Sequence, residues 1–425
     1  MASGFRRDSP WLALTILTGI ATVGFIDRII VNVLVEPLKA EFGLSDTQIG
    51  LLTGLAFAVL NVGLGIFVAR LAERKRRLTL IAVGTLAWSV ATALCGAVTN
   101  WVQLLFARIG VGVGEAVGLP ANQSVVAGYF PPHRRATAMS ILLLAPPIGA
   151  FLGAAGGAFV AQAYGWRMAF IAAAIPGVVF AALAFLFVAE PPRGRHDREE
   201  SPEVPSLGSV VARFARLPSA RHLVAGSAIA SMIGFGLNAF VAALLMRKFG
   251  FSLVQAGFFS GALASLPGIL SISIGGALTD LLGKTRPAAY ALLPGLSLLI
   301  ATPIYLFAVT QEDVVLLLGG MTVAALFQYT YLGCTFGTLQ NMMHSRARAT
   351  ASALLNVVYT LMGGFGPLLI GHLSDRFQAD GETGGNALAW AMAGCALLYL
   401  WAGAHYLAAA RHVGGDLAAV REGRL

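Results

Sequence analysis

The sequence predicts an all-α membrane protein of twelve transmembrane helices in two pseudo-symmetric six-helix bundles. Of its 425 residues, 57% are hydrophobic and only 12% are charged, whereas soluble domains average about 25% charged residues. Twelve mainly apolar stretches are long enough to cross a bilayer, which takes about 20 residues. These stretches, numbered here as spans one to twelve, cover residues 11–35, 47–69, 78–98, 101–128, 137–161, 168–189, 221–246, 253–279, 287–309, 314–339, 349–371 and 387–410.

A long polar segment divides the spans six and six. We therefore predict an N-terminal bundle over 1–189, a cytoplasmic linker over 190–220, a C-terminal bundle over 221–410 and a cytoplasmic tail over 411–425. The second part of the linker, near Val204 to Leu217, fits either an amphipathic helix at the membrane interface or a plain connection.

The positions of the cations predict the orientation. With the N-terminus inside, 22 of the 29 Lys and Arg residues fall in inside segments and five in outside segments, as the positive-inside rule requires. We expect a multi-pass protein of a cell membrane with both termini cytoplasmic. The bias also accounts for the net charge of +9 without a nucleic-acid partner. Arg6 and Arg7 could belong to a twin-arginine export signal, but the stretch that follows is long and charged, which favours a topological role.

Composition argues against several kinds of chemistry. The three cysteines lie in separate apolar stretches, as packing residues rather than disulfide or metal ligands. No clustered Cys/His pattern predicts a metal site, and we expect no cofactor. A phosphate-binding loop and a nucleophile–base constellation are also missing from the sequence, so neither an enzyme nor an ATP-driven pump is expected.

Four charged residues inside spans one and four are the strongest functional signal. Asp27 and Arg28 lie within span one, and Arg108 and Glu115 lie seven residues apart on one face of span four. A charge at membrane depth costs roughly 2.5 to 3.5 kcal/mol on insertion scales and is functional by default. A rise of about 1.5 Å per residue places Asp27, Arg28 and Arg108 in one layer with Glu115 beneath it. We predict Asp27 and Glu115 as proton-coupling groups; a structural ion pair, Asp27–Arg108 or Glu115–Arg28, is the alternative.

The matching positions of the second half are neutral. Counted from the span starts, Asp27 corresponds to Asn238 and Glu115 to Gln328. We predict Asn238, Gln328, Tyr329 and Tyr359 as substrate contacts in a mainly apolar cavity, although each taken alone could serve helix packing.

Two loops share one sequence pattern: a small residue, then an acid four positions later, then cations. They are residues 69–77, after span two, and residues 276–284, after span eight. Both resemble the G-x-L-x-D-R-x-G-R-R signature of the major facilitator superfamily, although the first has alanine and glutamate for the glycine and aspartate. The resemblance implies a conformational latch, and we assign it to Glu73, Arg74, Asp280 and Lys284; for Lys75 to Arg77, topology alone is the alternative.

Spans four and five extend this resemblance. Arg108, Gly112 and Gly114 are similar to the superfamily's span-four R-x-x-x-G-x-G, and residues 145–150 are similar to the G-P-x-x-G-G motif of exporters and antiporters. A proline-kinked packing helix is the alternative for the latter. The resemblance implies a twelve-helix major facilitator fold that works by alternating access.

A narrower resemblance connects the charged residues to one family. The segments 25–34 and 112–116 look like the D-R segment and the G-V-G-E-A segment of the spinster family, and residues 45–54 resemble its entry to span two. Spinster-like transporters are associated with lysophospholipids and phosphorylated sphingoid lipids. The resemblance implies an amphipathic anionic substrate whose head group is bound by Arg28 or Arg108, with transport coupled to protons through Asp27 and Glu115.

We therefore expect a monomeric secondary active transporter, proton-coupled, for an amphipathic lipid-like or anionic organic molecule. A small organic-anion symporter remains open because the Gly-Glu-Ala segment followed by Pro120 also occurs in that group. A multidrug exporter is favoured by the span-five motif. A receptor or scaffold without flux is the alternative from another class.

Overall fold

The computed structural model describes residues 9–59, 61–63, 76–192, 206–343 and 347–422, and in these ranges all regular secondary structure is helical. Two π-helical turns, Leu51–Leu55 and Leu152–Gly156, interrupt spans two and five. The α-helices are Pro10–Val33 (α1), Val35–Phe42 (α2), Asp46–Gly50 (α3), Arg77–Cys95 (α4), Trp101–Glu115 (α5), Gly118–Tyr129 (α6), Pro132–Leu142 (α7), Ala145–Phe151 (α8), Gly157–Tyr164 (α9), Trp166–Phe187 (α10), Leu207–Arg216 (α11), Pro218–Phe249 (α12), Leu253–Gly283 (α13), Ala289–Thr310 (α14), Val314–Gln328 (α15), Thr330–Asn341 (α16), Arg348–Ala379 (α17), Gly384–Ala396 (α18) and Leu398–Arg421 (α19).

Within the described ranges, ten helical segments are long and apolar enough to cross a membrane. They correspond to all the predicted spans except two and four. Span two is helical over 46–59 and 61–63, and its remaining predicted residues lie outside the described ranges. Span four is helical over Trp101–Glu115 and Gly118–Tyr129, with an interruption at residues 116–117 that the sequence did not predict.

The same interruption occurs in the second half. Helices α5 and α15 are both 15 residues long, and helices α6 and α16, which follow them, are both 12 residues long. Glu115 and Gln328 are the last residues of the two longer helices. The internal repeat therefore has a glutamate at the helix break in the first half and a glutamine at the equivalent break in the second.

Of the two possibilities left open for the second part of the linker, a helix forms, over Leu207–Arg216. Ser206 caps α11 by accepting from the Ser209 N–H, and Val210 is buried. Arg213 donates to the Met342 carbonyl at 3.1 Å, which ties α11 to the C-terminal half.

The two halves pack closely at one end of the bundle, which we call the closed face: the end that carries the turns at 43–45 and 250–252. Here span two meets span eleven, and a Cβ at Gly54 would lie 2.2 Å from the Gly364 carbonyl oxygen. Span five meets span eight, where a Cβ at Gly257 would lie 2.4 Å from the Ala158 Cβ. Glycine is required at such crossings because the helices approach within backbone contact.

Candidate functional site

Arg28 and Glu115 form an ion pair that joins span one to span four. The Arg28 Nη2 atom donates to the Glu115 Oε2 atom at 2.9 Å. The Glu115 side chain is only 5% exposed, and that of Arg28 is 29% exposed. The guanidinium also lies over the rings of Phe25 and Phe57, 5.1 and 4.5 Å from their centroids. Glu115 is therefore enclosed, whereas Arg28 can be reached from outside the pair.

Asp27 and Arg108 are both fully buried beside this pair. The Arg108 Nη1 atom donates to the backbone oxygen of Asp27 at 3.0 Å, not to its carboxylate. In the described part of the chain, neither carboxylate oxygen of Asp27 has a hydrogen-bond partner, and the same holds for the Nε and Nη2 atoms of Arg108. An ionised carboxylate without such partners is costly in a medium of low dielectric constant, so the charge state of Asp27 depends on its immediate surroundings.

The structure thus brings the four predicted charges together, but in a different arrangement from the predicted one. Glu115 pairs directly with Arg28, although residue spacing places the two in different layers. Of the two ion pairs considered from sequence, Glu115–Arg28 forms, and Asp27–Arg108 is replaced by a contact to the main chain. A long arginine side chain spans the depth that residue spacing alone had separated.

Three predicted residues of the second half line one recess. Asn238 donates to the Gly234 carbonyl and to the Tyr329 hydroxyl, both at 2.9 Å, and Gln328 accepts from the Tyr305 hydroxyl. The recess is small: its free volume is about 10 Å³, room for roughly one water molecule, and it is lined by Leu237, Asn238, Val241, Leu263, Tyr305, Met321, Ala325, Gln328 and Tyr329. Tyr305 was not predicted as a lining residue. A tyrosine in an apolar span indicates that its hydroxyl needs a hydrogen-bond partner.

Tyr359, the fourth predicted residue, lies apart from this recess. Its ring packs edge-on against Phe235 with the centroids 5.3 Å apart. It is close enough to Arg28 to interact with its charge, so it lies on the side of the C-terminal half that is near the charged residues of span one.

The predicted latch is only partly within the described structure. Glu73 and Arg74 lie outside the described ranges. Asp280 belongs to α13, but its side chain is not described; Lys284 follows that helix directly and is exposed. The latch assignment therefore stays a prediction.

Arg77 does more than set topology. It is only 6% exposed, and its Nε atom donates to Glu190 at 2.7 Å. Its remaining donors bind the Ser124 carbonyl and hydroxyl and the Pro191 carbonyl. Arg77 thus joins spans three and four to the segment after span six.

A buried polar network at the closed face was not foreseen from sequence. Asp46, which precedes span two, is fully buried and is bound by both terminal nitrogens of Arg247 at 2.7 Å each. It also accepts from Lys39, Ser374 and Gln378. Since Arg247, Ser374 and Gln378 belong to the second half of the chain, Asp46 connects the two halves.

Further contacts complete this network. Arg247 also pairs with Glu36 at 2.7 Å, and the Asp375 carboxylate accepts from the backbone N–H groups of Asp46 and Thr47 at 2.8 Å. Lys39 and Arg247 are two of the few cations predicted on the outside, and both lie near acidic residues. Their position could have indicated ion pairs at this end of the bundle, but local sequence does not show which residues pair across the two halves.

The electrostatics of Asp46 follow from its contacts. Burial raises the pKa of this carboxyl, but the hydrogen bonds and charge of Arg247, followed by those of Lys39, outweigh burial and hold the pKa well below its usual range. A carboxylate bound by several donors in this way stays ionised.

Comparison with known proteins gives consistent similarities. The Major Facilitator Superfamily model matches residues 16–367. An MFS-type efflux pump of Mycolicibacterium smegmatis is 32% identical over 415 residues, covering 96% of this chain and 94% of that protein. The sphingosine-1-phosphate transporter SPNS2 of Danio rerio is 25% identical over 435 residues, covering 96% of this chain and 86% of its own.

A solved structure extends the similarity to three dimensions. It is the crystal structure of a bacterial homolog of the human lysosomal transporter Spinster, in an inward-facing and unoccupied conformation. It matches with a TM-score of 0.87 at 28% sequence identity, covering 98% of this chain and 99% of that one.

Proposed function

The chain belongs to the Major Facilitator Superfamily, and from this premise we propose that it couples proton movement to transport of an amphipathic anionic lipid. Members of this family are secondary transporters embedded in a membrane, not enzymes. The observation that carries the proposal is the Arg28–Glu115 ion pair at 2.9 Å beside the buried Asp27. Arg28, the acid Glu115 that would free it on protonation, and the second acid Asp27 therefore lie together inside the bundle.

In the proposed cycle, protonation of Glu115 removes the charge that holds Arg28. The freed guanidinium then binds the anionic head group, for which its fork of donors is suited. Arg108 is fully buried and bound to the main chain, so the head-group role falls to Arg28. Coupling results if the protonated and ionised forms favour different conformations, because a ligand shifts an equilibrium only by its differential affinity.

The C-terminal half is suited to the apolar part of the substrate. The recess beside Asn238 combines aliphatic side chains with a few hydrogen-bonding groups, the chemistry expected of a site for an amphipathic molecule, and in the proposed cycle it widens to admit one. The similarity to a transporter named for sphingosine-1-phosphate supports a phosphorylated or otherwise anionic lipid.

We place both termini, the linker and the tail in the cytoplasm, in line with the bias of Lys and Arg. The closed face then points outward and the state described is inward-facing, and the protein acts as a monomer. The likeness to an inward-facing crystal structure supports this assignment.

An efflux pump for apolar compounds is the second candidate. The M. smegmatis relative at 32% identity is named an MFS-type efflux pump. Such a pump would use the same charged residues, but its substrates would not need an anionic group.

Proteoliposomes that trap a pH-sensitive dye test the coupling, with sphingosine-1-phosphate as the probe substrate. We expect substrate-dependent proton movement for the wild type and its loss for Glu115→Gln and Asp27→Asn. Glu312→Gln is the control, because that side chain is 79% exposed. Proton movement that persists in both interior variants would refute the assignment.

Thermal stabilisation in detergent tests the substrate class. Lysophospholipids and sphingoid phosphates should raise the melting temperature, and should do so less for Arg28→Gln. Stabilisation by cationic drugs alone would favour the efflux pump, and stabilisation by sugar acids alone would favour a small organic-anion symporter.

A further inference from the structure

The Asp27 carboxylate faces span three as well as span four. Thr92, in α4, is fully buried, and its hydroxyl is close enough to interact with Asp27. Neither the Thr92 hydroxyl nor either carboxylate oxygen has a hydrogen-bond partner in the described ranges. Two adjacent buried polar groups with free hydrogen-bonding capacity are expected to serve each other, since leaving both unpaired is costly.

The Thr92 hydroxyl lacks the hydrogen bond to its own helix that several other buried threonines make. Thr85, two turns earlier in the same helix, donates to the Ile81 carbonyl at 2.7 Å, and Thr302 and Thr335 likewise donate to the carbonyl four residues before. The Thr92 hydroxyl makes no such bond. Its proton is therefore available to a partner on another helix.

We propose that Thr92 is a positioning residue for the proton site at Asp27. A hydroxyl can both donate and accept. It donates to the carboxylate when Asp27 is ionised, and it accepts from the carboxyl when Asp27 is protonated. Thr92 thus holds the side chain in one place through both states and offsets part of the cost of the ionised form. The inference rests on the proton coupling proposed above.

Thr92 differs from the charged groups around Asp27 in what it can offer the carboxyl group. Arg108 and Glu115 face Asp27 from span four, Arg28 is its neighbour in span one, and Cys95 lies one turn beyond Thr92. Arg28 pairs with Glu115, and Arg108 donates through Nη1 to the Asp27 main chain while its Nε and Nη2 atoms have no partner in the described ranges. An arginine can only donate, whereas the Thr92 hydroxyl can also accept from the protonated carboxyl. The other charged or titratable residues on the elements packed against α1 lie in α2 or near the ends of the longer helices: Arg77, Tyr129, His133, Arg134, Arg135, Tyr164, Arg167, Glu36, Lys39, Glu41, Arg247, Lys248, His222, Arg221 and Asp280.

The test follows the pH dependence of the conformation without any substrate. Spin labels at introduced cysteines replacing Ala40 and Asp380, both exposed, report the separation of the halves at the closed face. The native cysteines are all buried, so labelling is selective. Thr92→Val should move the midpoint of the pH profile upward by about one pH unit, tenfold in proton affinity, because the ionised carboxylate loses a donor.

Thr92→Ser should keep the wild-type midpoint, and Thr85→Val, which removes a hydroxyl already bonded within its helix, should leave it unchanged. Thr92→Ala replaces the valine variant if that variant does not fold. A Thr92→Val or Thr92→Ala midpoint equal to that of Thr85→Val, together with a flattened profile in Asp27→Asn, overturns this inference alone. An unchanged profile in Asp27→Asn overturns the proton site and this inference together.

Discussion

Glu115 and Gln328 end equivalent 15-residue helices in the two halves of the chain, yet they have opposite kinds of partner. Glu115 is bound by the guanidinium of Arg28, and Gln328 is bound by the hydroxyl of Tyr305. The same helix break therefore holds a charged pair in the first half and a neutral pair in the second. This asymmetry confines the proposed proton chemistry to one bundle.

Gln328→Glu should lower the melting temperature in detergent at neutral pH. Gln328 is 2% exposed, and Ala239 and Met321 stand where the first half has Arg28 and Arg108, so a new carboxylate would be buried without a cation. An unpaired buried charge is strongly destabilising. Gln103→Glu, at an exposed position, is the control, and a Gln328→Glu melting temperature equal to that of the control would contradict the argument.

Asp46→Ala should open the closed face. Removing one partner of a buried ion pair costs roughly 3–5 kcal/mol, which corresponds to more than a hundredfold change in the ratio of open to closed states, since about 1.4 kcal/mol is tenfold. Alkylation of cysteines introduced on facing positions of spans two and eleven measures this opening. Disrupting the Lys248–Glu312 pair by Glu312→Gln, at a side chain that is 79% exposed, should have little effect. Equal alkylation of the wild type and Asp46→Ala would show that the network does not hold the face closed.

The closed face should be insensitive to pH from neutral down to about pH 4. The pKa of Asp46 lies well below its ordinary value of 3.8, so its contribution is fully present above that ordinary value and is lost only as the pH falls through the lowered one. The separation of labels at this face in the Asp27→Asn/Glu115→Gln double variant measures the dependence. A transition between pH 5 and 8 that survives in this variant would assign pH sensing to some other group.

Gly371→Ala should weaken the contact between spans two and eleven. A Cβ at this position would lie 2.1 Å from the backbone oxygen of Asp46, a rigid neighbour that cannot move aside without separating the helices. We expect more alkylation at the closed face and slower transport. Gly319→Ala, in α15, where a Cβ would meet no atom within 4 Å, is the matched control, and identical behaviour of the two variants would contradict the close packing.

The sequence by itself determined the class of the protein and most of its spans. Apolar length and the placement of cations predict spans without any knowledge of packing, because the cost of placing polar groups in a bilayer acts on each segment separately. The same cost singled out Asp27, Arg28, Arg108 and Glu115 as a set. The helix break after Glu115 was not predicted, because no proline precedes it in span four and mainly apolar residues continue on both sides of it.

The tertiary structure alone decided which of these groups touch. Residue spacing placed Glu115 in a layer of its own, but the flexible side chain of Arg28 reaches it and leaves the Asp27 carboxylate beside Thr92. The network around Asp46 joins residues some 200 to 330 positions apart, so no local pattern could reveal it. The cost of each charge in the membrane follows from the sequence, whereas the partner that offsets the cost depends on how the helices pack.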